Sequence, residues 1–261
     1  MNTVSIAKRF IKQLLPPAAT LLAKAALTRL RTHRIKRQYG GLGLKETFDR
    51  IYAVRAWAGG SNEQLCSGPG STGRYVREYC ALLKGLLITH DLHSLADLGC
   101  GNFNTGKAIV RITDRYTGVD ISQLVVEANT RLYGNNRVRF VRADLTTDRL
   151  PAADVGIVRQ VLQHLSNAEV QMVLENVRHT YPIAFITEHV YVGRGCKPNL
   201  DITHGPGTRV PWRSGVFIDQ PPFNLPAALV ADVQYAADEV LRTWVVEGTF
   251  NESRSSRHPI A

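Results

Sequence analysis

The residues best suited to chemistry lie where an apolar run meets two glycines. The run Leu95–Leu98 leads into Gly99 and Gly101, and Asp120 ends the next apolar run. Glycines let a backbone approach a ligand closely, and a carboxylate at a strand end can accept hydrogen bonds from ribose hydroxyls. This spacing predicts a site for a nucleotide-containing cofactor. The alternative for Asp120 is a structural role, in which its carboxylate caps a helix or forms a turn.

A histidine suited to acid–base work follows a later apolar run. His164 lies in RQVLQHLSN, just beyond a predicted strand, and open α/β sheets bind ligands at the carboxyl ends of their strands. Histidine is the natural base near neutral pH, so His164 is the first candidate for taking a proton from a substrate. Helix capping or packing is the alternative. The reserve bases are Glu188, His189, Asp201 and His204.

A parallel sheet is needed to bring these residues together, and the apolar periodicity predicts one. Strands and helices alternate through the middle of the chain, which is typical of a parallel sheet wrapped by helices. The predicted strands cover 94–98, 116–120, 137–141, 154–159 and 183–188, and the predicted helices cover 45–57, 72–90, 105–111, 123–133 and 167–178. A short helix near 226–231 and a closing hairpin of strands at 232–235 and 241–247 are predicted after a long loop.

Basic residues are concentrated at the N-terminus. Nine of them precede residue 40, and the first acidic residue is Glu46. The formal net charge of the whole chain is +10, so the chain after residue 40 is close to neutral. The body therefore lacks the basic footprint of a nucleic-acid-binding protein. Residues 1–38 are predicted to be basic amphipathic helices that contact a membrane surface, with packing on the domain, a frayed tail or a targeting peptide as alternatives. No apolar stretch in this leader is long enough to span a bilayer.

The four cysteines form no CxxC pair and have no metal-ligand spacing with histidine. Neither a zinc site nor a disulfide framework is therefore predicted, no acid cluster indicates another metal, and a reducing, cytoplasmic compartment is the simplest context. At 261 residues and 44% hydrophobic content the chain can bury one α/β core. The predicted division is a leader (1–40), N-terminal helices with a glycine- and serine-rich loop (41–92), a core (93–250) and a polar tail (251–261).

The order of motifs resembles the class I S-adenosylmethionine-dependent methyltransferases over about residues 94–190. The segments that carry the resemblance are LADLGCGNFNTG, GVDIS, RADL and DVGIVRQVLQHL. The resemblance implies a Rossmann-like, seven-stranded, mostly parallel sheet with an antiparallel last strand, and S-adenosylmethionine as the cofactor. The residues it implies for cofactor binding are Asp97, Gly99, Cys100, Gly101, Asn102, Asp120, Ile121, Asp144, Leu145 and Gln160.

A narrower resemblance extends to about residues 48–250. The segments IYAVRAWAGGSNEQLCSGPGS, NLDITHGPGTR and QPPFNLP are similar to a bacterial subgroup found among proteins of glycan and secondary-metabolite assembly. It implies methyl transfer to a hydroxyl of a sugar or similar small metabolite, and it suggests that SGPGS folds over the cofactor or substrate. Trp57, Phe217 and Phe223 are candidate walls of the substrate site, with core packing as the alternative.

Two positions depart from glycine-loop patterns. The third glycine of the methyltransferase loop is Phe103 here, and the third glycine of a dinucleotide fingerprint is Asn104. Phe103 motivates one alternative, a cofactor-binding scaffold without turnover. A nicotinamide-dependent oxidoreductase is a weaker alternative, which Asn104 disfavours. The sequence predicts no oligomeric state.

Overall fold

The computed structural model describes residues 17–59, 65–71 and 73–249. The predicted polar tail 251–261 and the start of the leader lie outside these ranges. Helices are α1 (Pro17–Tyr39), α2 (Leu44–Ala53), α3 (Arg74–Thr89), α4 (Gly106–Ile109), α5 (Gln123–Tyr133) and α6 (Asn167–Thr180). Strands are β1 (Ser94–Leu98), β2 (Arg115–Asp120), β3 (Val138–Arg142), β4 (Val155–Arg159), β5 (Ile183–Tyr191), β6 (Ala228–Ala236) and β7 (Glu239–Glu247).

The seven strands form one sheet in the order β3-β2-β1-β4-β5-β7-β6. The first five run parallel, and β7 is antiparallel to both β5 and β6. The predicted fold class, a Rossmann-like sheet with an antiparallel last strand, is thereby confirmed. The order reverses at β1, because β2 lies on one side of it and β4 on the other, which is where open α/β sheets form a ligand crevice.

The central strands are buried on both faces. Every residue of β1 after Ser94 and every residue of β4 before Arg159 is buried, as expected for a parallel sheet covered by helices. On one face α3 packs Leu83 and Leu87 into a cluster that also contains Phe185. This core holds the carboxyl ends of the strands at fixed positions, so the loops that follow them can carry a defined site.

The prediction of a short helix near 226–231 is wrong. Residues 228–236 form β6, whose pairing with β7 runs from Ala228↔Val245 to Ala236↔Glu239. Local sequence preference is weak, and the backbone hydrogen bonds that β7 offers override it here. The predicted closing hairpin is confirmed, with both of its strands longer than expected.

Strand β5 also extends beyond its predicted end. It continues past Glu188 to Tyr191, because β7 pairs with it from Ile183↔Glu247 to Tyr191↔Glu239. His189 therefore lies within a strand and not after one. The other parallel strands agree with their predictions to within a residue at each end, whereas α2 and α4 are shorter than predicted.

The chain divides into two compact units, of which the first ends at Gly41. In this first unit α1 begins at Pro17, a residue type favoured at the first helical position. Exposed Arg31 and Arg34 follow exposed Leu27 by four and seven residues, so basic and apolar side chains share one face. Residues 1–16 and several side chains of α1 lie outside the described part of the chain, so the basic amphipathic leader stays a prediction. Across the described ranges, no helix combines the length and apolarity that crossing a membrane requires.

Candidate functional site

The glycine loop after β1 follows the path that its sequence predicts. Gly99 and Gly101 have φ angles of +83° and +54°, which glycine adopts without strain. The amides of Gly99 and Cys100 both donate to the Val119 carbonyl, at 2.7 and 3.0 Å. A Cβ at Gly99 would lie 2.4 Å from Val161 Cγ2. Only glycine fits at this position, because the turn after β4 packs directly against it.

Phe103 occupies the position where the family pattern has a third glycine. Its φ of +62° lies in the left-handed region, so its backbone adopts a conformation typical of glycine. The ring is buried and packs 4.9–5.3 Å, centroid to centroid, from Tyr116, Tyr133 and Phe140. This aromatic packing offsets the backbone strain of about 1–2 kcal/mol. Phe103 therefore adopts a left-handed backbone conformation of the kind that glycine adopts most readily.

Asp120 ends β2 with its carboxylate directed at the glycine loop. Oδ2 accepts the Gly101 amide at 3.0 Å and Oδ1 accepts the Ser122 amide at 2.9 Å. Burial raises the pKa of Asp120 to about 6, although these backbone hydrogen bonds favour the charged form. Each carboxylate oxygen accepts one amide and retains capacity for another donor, as ribose hydroxyls require. Ile121 follows directly.

Asp97 lies inside the sheet, beneath the same loop. Its Oδ2 accepts the Tyr116 hydroxyl at 2.6 Å. Burial raises the pKa of Asp97 to about 6, and the Tyr116 hydrogen bond and the nearby Arg159 guanidinium partly oppose that rise. This acid has a structural hydrogen bond and one oxygen with acceptor capacity left.

The remaining predicted cofactor residues lie in the glycine loop or after the ends of β3 and β4. The Asp144 carboxylate closes a turn by accepting the Thr146 amide and hydroxyl, and the Leu145 carbonyl accepts the Asn176 side chain. Burial raises the pKa of the Cys100 thiol well above its usual range. Gln160 stands at the end of β4 with a φ of +57°, an uncommon conformation for a residue other than glycine.

The serine-rich segment that precedes α3 lies on the glycine loop. Ser67 Oγ accepts the Asn102 amide at 2.8 Å and lies 3.2 Å from the Tyr52 hydroxyl. Asn102 Nδ2 donates to the Leu65 carbonyl at 2.9 Å. Ser67 belongs to the SGPGS segment that the resemblance places over the cofactor or substrate, whereas sequence reasoning did not assign Tyr52 to the site.

His164 lies in a short 3₁₀ turn, Leu162–His164, that follows β4. Its Nδ1 is 2.9 Å from the Gly207 carbonyl, so Nδ1 carries the proton of a neutral ring. Nε2 is then an acceptor, and the Gln163 side-chain amide lies 3.4 Å from it. The Trp57 ring lies 5.0 Å from it, centroid to centroid, and the Trp57 indole donates to the Pro206 carbonyl. Burial lowers the pKa of His164 to about 4. The ring is therefore neutral and able to accept a proton at ordinary pH.

Glu188 reaches the same turn from β5. Its carboxylate accepts three consecutive amides, those of Val161, Leu162 and Gln163, at 2.8–3.1 Å. Burial raises the pKa of Glu188 to about 7 against the effect of these three amides. The carboxylate faces the main chain of the turn.

The other reserve bases are bonded within the protein. His189 Nε2 lies 3.0 Å from Glu239 Oε2, and its ring packs 4.2 Å from that of Tyr235. His204 has Nδ1 2.6 Å from Glu169 Oε1 and Nε2 3.1 Å from the Leu42 carbonyl. The Asp201 carboxylate accepts two amides, those of Asn167 and Ile202. Both histidines therefore pair with a carboxylate, whereas the His164 ring contacts a neutral carbonyl at Nδ1 and the neutral Gln163 amide at Nε2.

Of the three candidate wall residues, Trp57 adjoins His164. Phe217 and Phe223 are buried, at 3% and 7% exposure, which fits the core-packing alternative. Two arginines near the site were missed, of which Arg159 is half-buried and Arg209 is fully buried. Arg159 ends β4, lies over the Tyr79 ring, and donates to the Gly70 carbonyl at 2.8 Å. Arg209 comes from the long loop after β5, and its place in the fold could not be read from local periodicity.

The residues around the glycine loop fit S-adenosylmethionine. Asp120 can accept the two ribose hydroxyls, because each of its carboxylate oxygens has acceptor capacity left. The methionine end of the cofactor is a zwitterion, and Asp97 and Arg159 offer one charge of each sign. Within the described ranges, Arg159 Nε is a buried donor with no hydrogen-bond partner. No group of three metal-ligating side chains is found in the part of the chain that the structure describes.

Comparison with known proteins agrees with this geometry. Residues 78–188 match the family model of the O-methyltransferase domain. No curated protein sequence matches the chain. The N-methyltransferase NodS from Bradyrhizobium japonicum WM9, solved with S-adenosyl-L-homocysteine, aligns with a TM-score of 0.54 at 13% identity, over 78% of this chain and 99% of that chain.

Two further solved structures are similar. The DhpI–SAH complex aligns with a TM-score of 0.52 at 15% identity, over 79% of this chain and 98% of that chain. Human N-acetylserotonin methyltransferase with SAM aligns with a TM-score of 0.48 at 15% identity, over 81% of this chain, which spans 62% of that protein. The match to the O-methyltransferase domain favours S-adenosylmethionine over the nicotinamide alternative. Residues 78–188 therefore match an O-methyltransferase domain, and the chain has the fold of the class I S-adenosylmethionine-dependent methyltransferases.

Proposed function

We propose that the protein methylates a hydroxyl group of a sugar or similar small metabolite, with His164 as the general base. One observation carries the proposal. A neutral imidazole, with Nδ1 bonded to a carbonyl and Nε2 as an acceptor, lies at the same sheet edge as the Asp97–Gly101–Asp120 cradle. The match to an O-methyltransferase domain supports oxygen as the acceptor atom.

The bound cofactor supplies a methyl group on a positively charged sulfur, which leaves as a neutral thioether. The protein's part is to align the hydroxyl with the methyl group and to accept the proton that the hydroxyl loses. With a pKa of about 4 His164 is a weak base, yet a hydroxyl oxygen becomes strongly acidic as it gains a methyl group. Proton transfer to Nε2 is therefore downhill once the new bond forms.

The Trp57 ring supports a sugar as the acceptor. It is half-buried next to His164, and its indole is anchored to the Pro206 carbonyl at 3.1 Å. A fixed aromatic face with polar groups around it suits the apolar face of a sugar ring, whose hydroxyls then reach the polar groups. Lipid-linked and nascent glycans are included in this class.

Radiolabelled S-adenosylmethionine, incubated with the protein and a panel of glycans and small hydroxylated metabolites, tests the proposal. We expect label in an alkali-stable ether on a hydroxylated acceptor. Cofactor binding without product across the panel would favour a scaffold, and label on an amine would overturn the oxygen assignment. S-adenosylhomocysteine binding, measured by calorimetry, controls for folding.

We also propose that α1 holds the protein at the inner, anionic membrane surface by charge. Arg29, Arg31, Arg34, Lys36 and Arg37 are all exposed, and no acid precedes Glu46. Each basic residue near an anionic surface contributes about 1 kcal/mol, a contribution that salt screens. Because apolar and basic residues share a face in α1, attraction to headgroups is favoured over insertion.

Co-sedimentation of the full chain with phosphatidylglycerol vesicles tests this attachment. Reversing two charges by Arg31→Glu and Arg34→Glu should weaken binding at least tenfold. The control, Arg111→Glu with Arg131→Glu, changes net charge equally on exposed residues of the core and should have a much smaller effect. Equal losses in both double variants would contradict a role specific to α1.

A further inference from the structure

Two buried charged side chains enclose the turn that carries His164. Glu188 on β5 and Arg209 on the loop before the 3₁₀ turn Val210–Trp212 are both 0% exposed. Charged side chains are rarely buried this completely, and those that are need partners for every polar atom. The partners of both belong largely to residues 161–167, so the turn itself is what the two charges share.

Glu188 binds the amide side of the turn. One oxygen accepts the amides of Val161 and Leu162, at 3.0 and 2.8 Å, and the other accepts the Gln163 amide at 3.1 Å. Three consecutive amides directed at one carboxylate form a strong, charge-assisted anchor. This anchor fixes the main chain immediately before His164.

Arg209 binds the carbonyl side. Its Nη1 donates to the Leu162 carbonyl at 3.1 Å, and its Nη2 donates to the Leu165 carbonyl at 2.7 Å and to Asn167 Oδ1 at 3.0 Å. Its Nε donates to the Leu200 carbonyl at 2.8 Å, which ties the turn to the long loop. That loop also supplies Gly207, whose carbonyl lies 2.9 Å from His164 Nδ1.

We propose that Glu188 and Arg209 are positioning residues, which fix the His164 imidazole in the tautomer that leaves Nε2 to accept the substrate proton. The proposal rests on the proposed function for the base role of His164. Neither charged group contacts the ring. They hold the main chain on both sides of it, and Arg209 also holds the loop that bonds Nδ1. Without either charge the turn and the loop can separate, and the ring loses its fixed Nδ1 partner.

Nitrogen-15 NMR of histidine-labelled protein tests this directly, with the His164 signals assigned by their loss in His164→Ala. The wild type should show a protonated Nδ1 and an unprotonated Nε2. In Glu188→Gln and Arg209→Lys the two shifts should move toward each other, and kcat should fall at least tenfold while S-adenosylhomocysteine affinity stays within twofold. Glu188→Asp, which keeps the charge, should recover part of kcat.

Tyr181→Phe is the matched control, because it removes a buried hydrogen bond to the Pro151 carbonyl, outside the His164 turn. It should lower the melting temperature and leave the His164 shifts unchanged. Unchanged His164 shifts in Glu188→Gln and Arg209→Lys, alongside a similar loss of melting temperature, would overturn the proposal. If Glu188→Gln does not fold, Arg209→Lys decides alone. Full turnover in His164→Ala would instead defeat the base role, and the shifts would still report on positioning.

Discussion

The candidate site has two halves, one around Gly101 and one around His164, and they are built in different ways. The cofactor half, around Gly101, takes its carboxylate and amide partners from one β1–β2–α5 stretch, such as Asp120 and Asn129 Nδ2, which donates to the Gly101 carbonyl at 2.8 Å. Ser67, from the segment before α3, is a long-range partner of the same loop. The acceptor half, around His164, is assembled from the segment after α2, from β5 and from the 199–215 loop. The first half depends mainly on the backbone conformation of the glycine loop, and the second half depends on side-chain contacts between distant segments. Substitutions should therefore separate cofactor affinity from turnover.

The largest separation is expected for His164→Ala. Loss of a general base lowers kcat by about 10²- to 10⁴-fold, while S-adenosylhomocysteine affinity should change less than twofold because no cofactor residue is touched. Initial rates and calorimetry measure the two quantities. His179→Ala, on the exposed side of α6, is the control and should retain full turnover. Equal loss of affinity and turnover would show that the two halves are not separable.

Substitutions at Phe103 test whether packing or backbone conformation maintains the cofactor half. Phe103→Ala should lower the free energy of unfolding by about 3–5 kcal/mol, since a buried aromatic ring is lost. Phe103→Gly should be about 1 kcal/mol more stable than Phe103→Ala, the reverse of the usual order, because φ is +62°. Urea denaturation measures both. An alanine variant as stable as the glycine variant would mean that the positive φ carries no strain.

Asp120→Asn should weaken S-adenosylhomocysteine binding about 10- to 100-fold. The amide offers one acceptor oxygen where the carboxylate offers two, and charge-assisted hydrogen bonds contribute about 1.5–3 kcal/mol. Calorimetry measures the change. The control is Asp154→Asn, whose carboxylate accepts the His93 and Ser94 amides at the opposite edge of the sheet and should leave affinity unchanged. Wild-type affinity in Asp120→Asn would remove the acid from the cofactor site.

The smallest effect is a pH dependence of cofactor affinity. The pKa of Asp120 is raised to about 6, so between pH 7 and pH 5 its ionised fraction falls about tenfold. Affinity should be constant above pH 7 and should fall by up to that factor toward pH 5, because the protonated acid accepts fewer hydrogen bonds. Asp120→Asn should flatten the profile. A profile unaltered by that substitution would assign the titration to another group, such as Asp97.

Much of the fold was predictable because its signals are local. Apolar runs of five or six residues fix β1 and β2, and the glycines after β1 indicate the loop from their residue type alone. The strand β6 was not predictable in the same way, since residues 226–231 have no strong local preference and take their conformation from β7. Phe103 likewise follows a glycine-like path for a reason absent from its own type, the aromatic cluster around it.

The candidate site likewise contains residues that local sequence signals identify and residues that only distant contacts identify. Asp97, Asp120 and His164 could be identified because each follows or lies in a recognisable strand. Glu188 was chosen for its position at a strand end, yet its carboxylate faces three amides of the neighbouring turn. Half-buried Arg159 and fully buried Arg209 were missed, because a charged residue gives no sign in sequence that it will be taken into the fold.

The sequence by itself determined the order of strands and helices, the glycine loop and the residues at its edge, since these depend on apolar periodicity and on backbone conformations that few residue types adopt. Only the tertiary structure decided which polar side chains meet: that His164 bonds Gly207 and keeps Nε2 as an acceptor, that Glu188 and Arg209 enclose its turn, and that Ser67 lies on the glycine loop. Such contacts join residues distant in the chain, and their energies depend on burial, which no local pattern encodes.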